Sequence, residues 1–375
     1  MKEFWKNLTG KQIILAVTAA VSLIMFGILT GISGYIAGKQ PAQNMAKRWA
    51  KDGGAAQISC FFSQTSQVDE NTIQAFEHAL DSALQEASIT VDSPNASARL
   101  WADAYSTGGK MTIEGKTGQV ETNVLGVGGD FFLFHPMKLL SGSFFSGSDL
   151  MQDHIVIDED LAWQLFGSND VVGQQVIIHG IPHLISGVIQ RDTGRFNDKA
   201  GNGKPLAYVS FATLASNLEA AGQTARINQY EIVLPDPVNE FAYGMVKDHI
   251  GVDETDCEIV ENSNRYGFVR LLKLLGNFGV RSMNEKAILY PYWENLARGY
   301  EDVLVLILVF RILFLVYPTV LFVILVVYLW RHRKWHLKDL KNFIEDKWEE
   351  KRLKKQQKGT QKLQASATSE EEELL

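Results

Sequence analysis

Residues 13–37 read IILAVTAAVSLIMFGILTGISGYIA, a run of 25 positions without a charged side chain. A helix of this length rises about 37 Å, which exceeds the roughly 30 Å hydrocarbon thickness of a bilayer. A cleaved signal peptide is the main alternative, but its apolar part spans only about 7–15 residues. The run therefore predicts an uncleaved transmembrane helix over residues 12–38.

A second apolar run covers residues 303–330 and contains one charged side chain, that of Arg311. The part from Ile312 to Trp330 is alone long enough for about 29 Å of helix. Arg311 either extends its charge to one membrane interface or makes a polar contact with a partner helix. We therefore predict a second transmembrane helix over residues 303–330.

The distribution of charge predicts which side of the membrane each part occupies. Eight Lys and Arg residues flank the two runs on the side of the termini, and five flank them on the other side. Residues 52–300 hold 31 acidic and 16 basic side chains. Because basic flanks stay inside, residues 1–11 and 331–375 are expected in the cytoplasm of a bacterial cell, with an acidic domain outside its membrane.

The overall composition excludes several classes of protein. The 375 residues include 36 Lys and Arg against 43 Asp and Glu, a formal charge of −7, and 46% are apolar. This content is typical of a folded protein and not of a disordered one. The acidity argues against a nucleic-acid partner, and two cysteines cannot build a disulfide scaffold.

The region between the apolar runs shows patterns of both helices and strands. Asp69 is a predicted N-cap for a helix with Ile73, Phe76, Leu80 and Leu84 at helical spacing. Strands are predicted at residues 58–62, 88–91, 98–105, 229–234 and 257–260, and a helix at 238–249. These ends of the region predict an α/β subdomain.

The middle of the region is richer in strand patterns. Strands are predicted at residues 119–127, 154–157, 175–179, 183–189 and 206–209, with a helix from Asp158 to Gly167. The predicted fold class is thus an α+β ectodomain, an α/β subdomain with a β-rich insertion at about 115–225, between two transmembrane helices. Residues 263–300 are predicted to form a helical juxtamembrane connector.

Several short motifs follow one another in this middle part. The chain reads VLGVGGDFF at 124–132, LLSGSFF at 139–145, IVID at 155–158, LAWQLFG at 161–167, and ISGVI at 185–189. In this order they resemble the MacB-like periplasmic core domain of ABC transporter permeases. The resemblance covers residues 52–262, including the flanking α/β portions.

The resemblance implies a function without catalytic residues or cofactors. In that family the domain couples ATP-driven helix motion to substrates or partner proteins outside the bilayer. The chain is accordingly expected to be a permease-like or accessory subunit of an ABC-type export or efflux system. Family permeases have four membrane helices, but one span follows the domain here, which implies a separate ABC ATPase, a sister membrane subunit, or both. The alternative is a cell-surface sensor or scaffold that uses the domain as a binding module.

Three motifs with possible chemistry are better explained by structure. Gly115-Lys116-Thr117 lacks the glycine that a phosphate-binding loop needs at position 110, which is Lys110. His179 and His183 lie across a predicted hairpin turn without further metal ligands nearby. Residues 158–160 are acidic at a helix start, where they complement the helix dipole. No catalytic, cofactor or metal residue is predicted.

Cys60 and Cys257 occur on the first and last predicted strands of the α/β subdomain. A disulfide is permitted outside the cytoplasm, and a pair of buried thiols is the alternative. Gly27, Gly31 and Gly34 lie close to one face of the first apolar helix. They either allow close packing of another helix or reflect the abundance of glycine in membrane helices.

The charged tail is a further candidate for an interaction. Residues 331–362 hold 12 basic and 5 acidic side chains. The tail also has an apolar stripe, formed by Trp335, Leu340, Phe343 and Trp348. This pattern predicts a helix that lies on anionic lipid, and a solvated helical extension is the alternative.

Overall fold

The structure is a computed structural model and describes residues 9–51, 53–90, 98–147, 149–278, 288–332, 347–348 and 351–352. Its helices are α1 (Gly10–Gly38), α2 (Met45–Trp49), α3 (Glu70–Glu86), α4 (Phe131–Phe134), α5 (Glu159–Phe166), α6 (Arg195–Asn197), α7 (Phe211–Ala220), α8 (Phe241–His249), α9 (Phe268–Gly276) and α10 (Tyr292–Arg331). Its strands are β1 (Ala55–Phe62), β2 (Ala102–Glu114), β3 (Gln119–Gly129), β4 (Lys138–Gly142), β5 (His154–Asp158), β6 (Gln175–Ile178), β7 (Ile181–Gln190), β8 (Leu206–Ser210), β9 (Gln229–Pro235) and β10 (Cys257–Glu261).

Helices α1 and α10 are both long and apolar enough to cross a membrane, as the two apolar runs predict. Their apolar parts contact each other through polar side chains. The hydroxyl groups of Thr18 and Tyr317 lie 2.7 Å apart, and Ser22 Oγ donates to the Phe314 carbonyl at 2.7 Å. Interhelical hydrogen bonds of this kind help to hold membrane helices together.

An antiparallel array of strands, in the order β10-β1-β9-β2-β3, forms the α/β layer. Helices α3 and α8 cover one face, where Phe76 and Leu80 meet Ile58 and Ile232 in the main apolar core. The other face packs against α2, α4 and the start of α10, with Met45, Phe134 and Trp293 in a second core. Amphipathic helices bury their apolar side on the sheet in this way.

Strands β2, β3, β8, β5, β7 and β6 form a closed barrel, because β6 pairs with both β7 and β2. Because of this closure, each of the six strands is paired on both sides over part of its length, and the barrel has no free edge there. The interior is filled by aliphatic side chains, among them Ile113, Ile157, Val176 and Val209. Leu165 of α5 adds to this core.

The hairpin of β2 and β3 belongs to both parts of the domain. At its base, residues 102–106 of β2 pair with β9 of the α/β layer, whereas Ile113 and Glu114 pair with β6 of the barrel. Tyr105 lies opposite Gly128, and a Cβ at Gly128 would stand 2.1 Å from the Tyr105 ring. The glycine therefore allows the ring to cross β3, where Tyr105 Oη donates to Glu70 Oε1 at 2.7 Å.

The predicted fold class, an α+β domain between two apolar helices, is confirmed. Two helix boundaries are also confirmed in detail. The Asp69 carboxylate accepts a hydrogen bond from Thr72 N at 2.8 Å and caps α3. Asp158 caps α5, which ends at Gly167 with a φ of 70°.

Several local predictions are wrong. Residues 88–90 form no strand, and β2 begins at Ala102 and continues to Glu114 through two glycines. The β6–β7 turn lies at His179 and Gly180, both with positive φ, because Ile181 and Pro182 pair within β7. In the helical connector predicted over residues 263–300, the described residues are helical in α9 and again from Tyr292 in α10, and between these helices Ile288 forms a β-bridge with Ser63.

Candidate functional site

The first turns of α10 are buried, although most of that helix is exposed. Trp293, Glu294 and Ala297 each retain 4% or less of their accessible surface. The Trp293 ring packs against Phe131 of α4, with ring centroids 5.8 Å apart. Glu294 N donates to the Pro291 carbonyl at 3.1 Å at the start of the helix. The beginning of α10 is therefore fixed to the α/β layer before its apolar run starts.

A two-point ion pair joins α10 to the segment after β10. Arg265 Nη1 lies 2.6 Å from Glu294 Oε2, and Arg265 Nη2 lies 2.8 Å from Glu294 Oε1. The two side chains are only 3% and 1% exposed. Parallel guanidinium–carboxylate hydrogen bonds fix orientation as well as distance, which a lysine could not do.

Arg265 has further partners that satisfy the rest of its guanidinium. Its Nε donates to Glu301 Oε1 at 2.5 Å, and Nη1 also donates to Asn262 Oδ1 at 3.1 Å. Burial by itself lowers the pKa of Arg265, but the charges of Glu294 and Glu301 outweigh it and hold that pKa well above its ordinary value. Arg265 is therefore a permanent buried cation.

A second arginine extends the contact along α10. Arg298 Nε lies 2.6 Å from Glu294 Oε1, and Arg298 Nη2 lies 2.6 Å from Glu258 Oε1 on β10. The guanidinium stacks on the Tyr290 ring at 3.9 Å, and Tyr290 Oη donates to Glu258. We call the charged set Glu258, Arg265, Glu294, Arg298 and Glu301 the junction network.

A chain of hydrogen bonds continues from the junction network through the sheet. Asn262 Nδ2 donates to Ser59 Oγ at 2.7 Å, and Ser59 Oγ donates to Glu231 Oε1 at 2.9 Å. Glu231 pairs with the His135 imidazole, which is also buried. The His135 ring lies 4.3 Å from that of Trp293, so the chain returns to the start of α10.

These contacts link α10 to β1, β9, β10 and α4 through buried polar groups. Buried charges of this kind are costly to separate, because each group left behind has lost both water and its partner. A displacement of the first turns of α10 would therefore act on the whole α/β layer.

A separate acidic cluster lies at the start of β5. His154 Nδ1 is 2.5 Å from Asp149 Oδ2 and 3.5 Å from Asp153 Oδ1, so the three side chains could hold a metal ion. No motif in the sequence marks this cluster. The half-buried hydrogen bond between His154 and Asp149 accounts for the contact, and we assign no metal to it.

The two cysteines lie diagonally on neighbouring strands. Cys60 pairs in register with Ile259, and Cys257 pairs with Phe62. Both are buried thiols here, and the pKa of the Cys60 thiol is well above its ordinary value because of a hydrogen bond with Cys257 and burial. The structure brings the two residues together, and a disulfide between them stays a prediction.

The glycines of α1 and the residues of the tail have no described partner surface. A Cβ at Gly27, Gly31 or Gly34 would meet no atom of the described chain within 4 Å, so packing of a helix there stays a prediction. Trp335, Leu340 and Phe343 lie outside the described residues. Trp348 is described and is 72% exposed, and its contact with anionic lipid also stays a prediction.

Sequence reasoning missed the junction network. Arg265 and Glu294 are 29 residues apart and lie in what reads as one connector, so neither spacing nor periodicity pairs them. One signal was present, since Glu294, Arg298 and Glu301 all lie within the ten residues before the apolar run that starts at residue 303. Charges just before a membrane helix are common, however, and this signal could not identify their partners.

Comparison with known families gives a match over well over half of the chain. Residues 13–251 match the family described as the MacB-like periplasmic core domain. This region contains the α/β layer up to α8 and the whole barrel, whereas Arg265 and Glu294 lie beyond its end.

Among curated proteins, the Macrolide export ATP-binding/permease protein MacB of Chromobacterium violaceum is 33% identical over 102 residues, which are 26% of this chain and 15% of that protein. MacB 2 of Aeromonas hydrophila is 34% identical over 88 residues, or 23% of this chain and 13% of that protein. The matched part of the chain thus spans only a small fraction of the length of these relatives.

Among solved structures, the periplasmic region of MacB from Actinobacillus actinomycetemcomitans aligns with a TM-score of 0.39 and 15% identity, covering 60% of this chain and 95% of that one. The extracellular domain of the noncanonic ABC-type transporter YknZ from Gram-positive bacteria aligns with a TM-score of 0.34 and 15% identity, covering 54% and 99%.

Proposed function

Because the chain belongs to the MacB-like periplasmic core domain family, we propose that it is a permease-like or accessory membrane subunit of an ABC-type export or efflux system. The domain would lie outside the cytoplasm between two membrane helices and act without catalysis. The runner-up remains a surface sensor or scaffold, since a fold by itself does not decide function.

The junction network is the observation that carries this proposal. It ties the first turns of an apolar helix to the α/β layer through buried charges at 2.5–2.8 Å. A sensor that needs only a binding surface would gain nothing from buried charges at this place. A subunit that follows the motion of a membrane helix needs a stiff contact there, because a loose one would absorb the motion.

We place the ATPase on a separate chain, with or without a sister membrane subunit. The names of the curated relatives join ATP binding and permease, but the matched segments make up only 15% and 13% of those proteins. Position 110 is a lysine, so Lys116 and Thr117 lack the glycine that a phosphate-binding loop would need there. The proposed partner is therefore an ABC ATPase that engages the two-helix unit from the cytoplasm.

The proposed location is a bacterial cell membrane, with both termini in the cytoplasm. The acidic content of residues 52–300 and the basic flanks of α1 and α10 support this orientation. Protease added to intact or permeabilised-envelope cells should digest the folded domain and spare a C-terminal epitope. Digestion of the epitope together with protection of the domain would contradict this orientation and favour the opposite one.

A complementation experiment tests the function. Cells that lack the chain should accumulate fluorescent efflux substrates or become more sensitive to a panel of antibiotics, and the wild-type chain should restore export. The variant Arg265→Lys, which keeps the charge but not the two-point pairing, should restore it poorly at equal membrane abundance. Lys247→Ala, at the exposed pair with Glu254, is the matched control and should restore it fully. Unchanged export in the deletion strain would favour the sensor or scaffold.

A further inference from the structure

Helix α9 presents an apolar face that no described residue covers. Phe268, Val269 and Leu272 are 54%, 63% and 44% exposed. They share one side of the helix, because at about 100° per residue they fall within an arc of about 100°. Leu271, on the adjoining side, is 1% exposed. The helix is thus apolar over two sides, of which only one is packed.

The packed side of α9 rests on the beginning of the apolar run of α10. Leu271 belongs to one buried cluster with Leu304, Val305 and Leu308. Ile36, near the end of α1, is packed against the same cluster. Both helices on which α9 rests are therefore those that are long and apolar enough to cross a membrane.

The position of the cluster along α10 sets the depth of α9 in a bilayer. Glu301 and Asp302 are the last charged residues before the apolar run. From Asp302 to Leu308 the helix rises about 9 Å, at about 1.5 Å per residue. Amphipathic helices that lie in the membrane interface bury their apolar face about 5–10 Å into the boundary between headgroups and acyl chains. The two depths coincide.

The polar residues of α9 lie away from the exposed apolar face. Arg270 Nη2 pairs with Glu261 Oε2 of β10 at 2.9 Å, and Lys273 is exposed. On α10 at the same level, Leu306 and Phe310 are 59% and 48% exposed. The uncovered face of α9 thus continues the uncovered apolar surface of the membrane helix.

We propose that the occupant of this face is the phospholipid bilayer itself, with Phe268, Val269 and Leu272 inserted at the headgroup–acyl boundary where the second span begins. The helix, which begins three residues after Arg265, would then support α10 at the membrane surface. Of the two cationic residues of α9, Arg270 is already paired with Glu261. The contact of α9 with the bilayer therefore depends on apolar insertion rather than on anionic headgroups. This inference goes beyond the proposed function, because a sensor with the same anchors would use it equally.

Hydroxyl-radical footprinting of the unaltered full chain in phosphatidylcholine nanodiscs tests the proposal without a variant. Phe196 is the matched control, because its side chain is of the same type and it is 49% exposed in the described structure. We expect Phe268 to be oxidised several-fold more slowly than Phe196. Equal rates would overturn the proposal.

A second measurement identifies what protects Phe268. The same nanodiscs, with one chain per disc, are prepared with a phosphatidylcholine that carries a diazirine near the top of its acyl chain. Irradiation should place lipid adducts on the peptide that contains residues 268–272, at a yield that does not change when anionic lipid is added. Protection of Phe268 without a lipid adduct on this peptide would overturn the proposal.

Discussion

Arg265 and Glu294 form a buried two-point ion pair, with donor–acceptor distances of 2.6 and 2.8 Å, between the segment that follows β10 and the first turn of α10. The pair is the centre of the junction network. It lies where the folded domain passes into the helix that is long enough to cross a membrane. The energetic and functional consequences of this position can be measured separately.

Removal of one partner of this pair should destabilise the protein strongly. Arg265→Leu leaves the carboxylates of Glu294 and Glu301 in a buried site, and we expect a loss of about 3–5 kcal/mol in the free energy of unfolding. Chemical unfolding of the full chain in detergent measures this loss. The double variant Arg265→Leu with Glu294→Leu should lose less than the sum of the two single variants. Additive losses would contradict a direct pair.

The stability of the domain should also depend on Asp103, a buried carboxyl group on β2. Burial, with the nearby charge of Glu77 as the second cause, raises the pKa of Asp103 from 3.8 to about 8. Between these two values the folded state retains a proton that the unfolded state has lost, so this group lowers stability as pH rises through the window.

The variant Asp103→Asn tests this pH dependence, because an amide does not titrate. The difference in unfolding midpoint between the variant and the wild type should grow in favour of the variant from pH 5 to pH 8. Asp248→Asn, at an exposed position of α8, is the control. A difference between Asp103→Asn and wild type that stays constant with pH would contradict the prediction.

The crossing of Tyr105 over Gly128 should tolerate no side chain. Gly128→Ala would place a Cβ 2.1 Å from the Tyr105 ring and force the ring away from Glu70. Overpacking of this kind costs about 1–3 kcal/mol. Gly108→Ala, on β2, is the matched control variant, because a Cβ there meets no described atom within 4 Å. Equal unfolding midpoints for the two variants would show that the ring is not fixed.

Alkylation measures the state of Cys60 and Cys257. A disulfide, one of the two alternatives that the sequence leaves open, would close a loop of nearly 200 residues and constrain the unfolded chain. Protein taken from cells with thiols blocked, and then unfolded without reductant, should show no alkylation at either cysteine and should migrate faster without reductant. Alkylation of both residues after unfolding would reject the disulfide and support the two buried thiols seen in this structure.

Sequence reasoning reached the fold class because its signals are local. Long runs with at most one charged residue predict the two apolar helices. N-caps such as Asp69 and Asp158 set the starts of α3 and α5 by contacts with residues three positions away. Closure of the barrel by β6 and β2 was beyond it, because Ile113 and Ile178 pair across 65 residues without any pattern that marks them. The same holds for Arg265 and Glu294, whose charges read as solvated connector residues until the fold buries them.

The central claim is that this chain works as one subunit of an ABC export complex. Purification of the tagged full chain from its native membrane in mild detergent, followed by mass spectrometry, tests it most directly. We predict the enrichment of an ABC ATPase that is lost when α10 is replaced by an unrelated membrane helix. A chain that purifies without any ATPase under conditions that keep other ABC complexes intact would contradict the account.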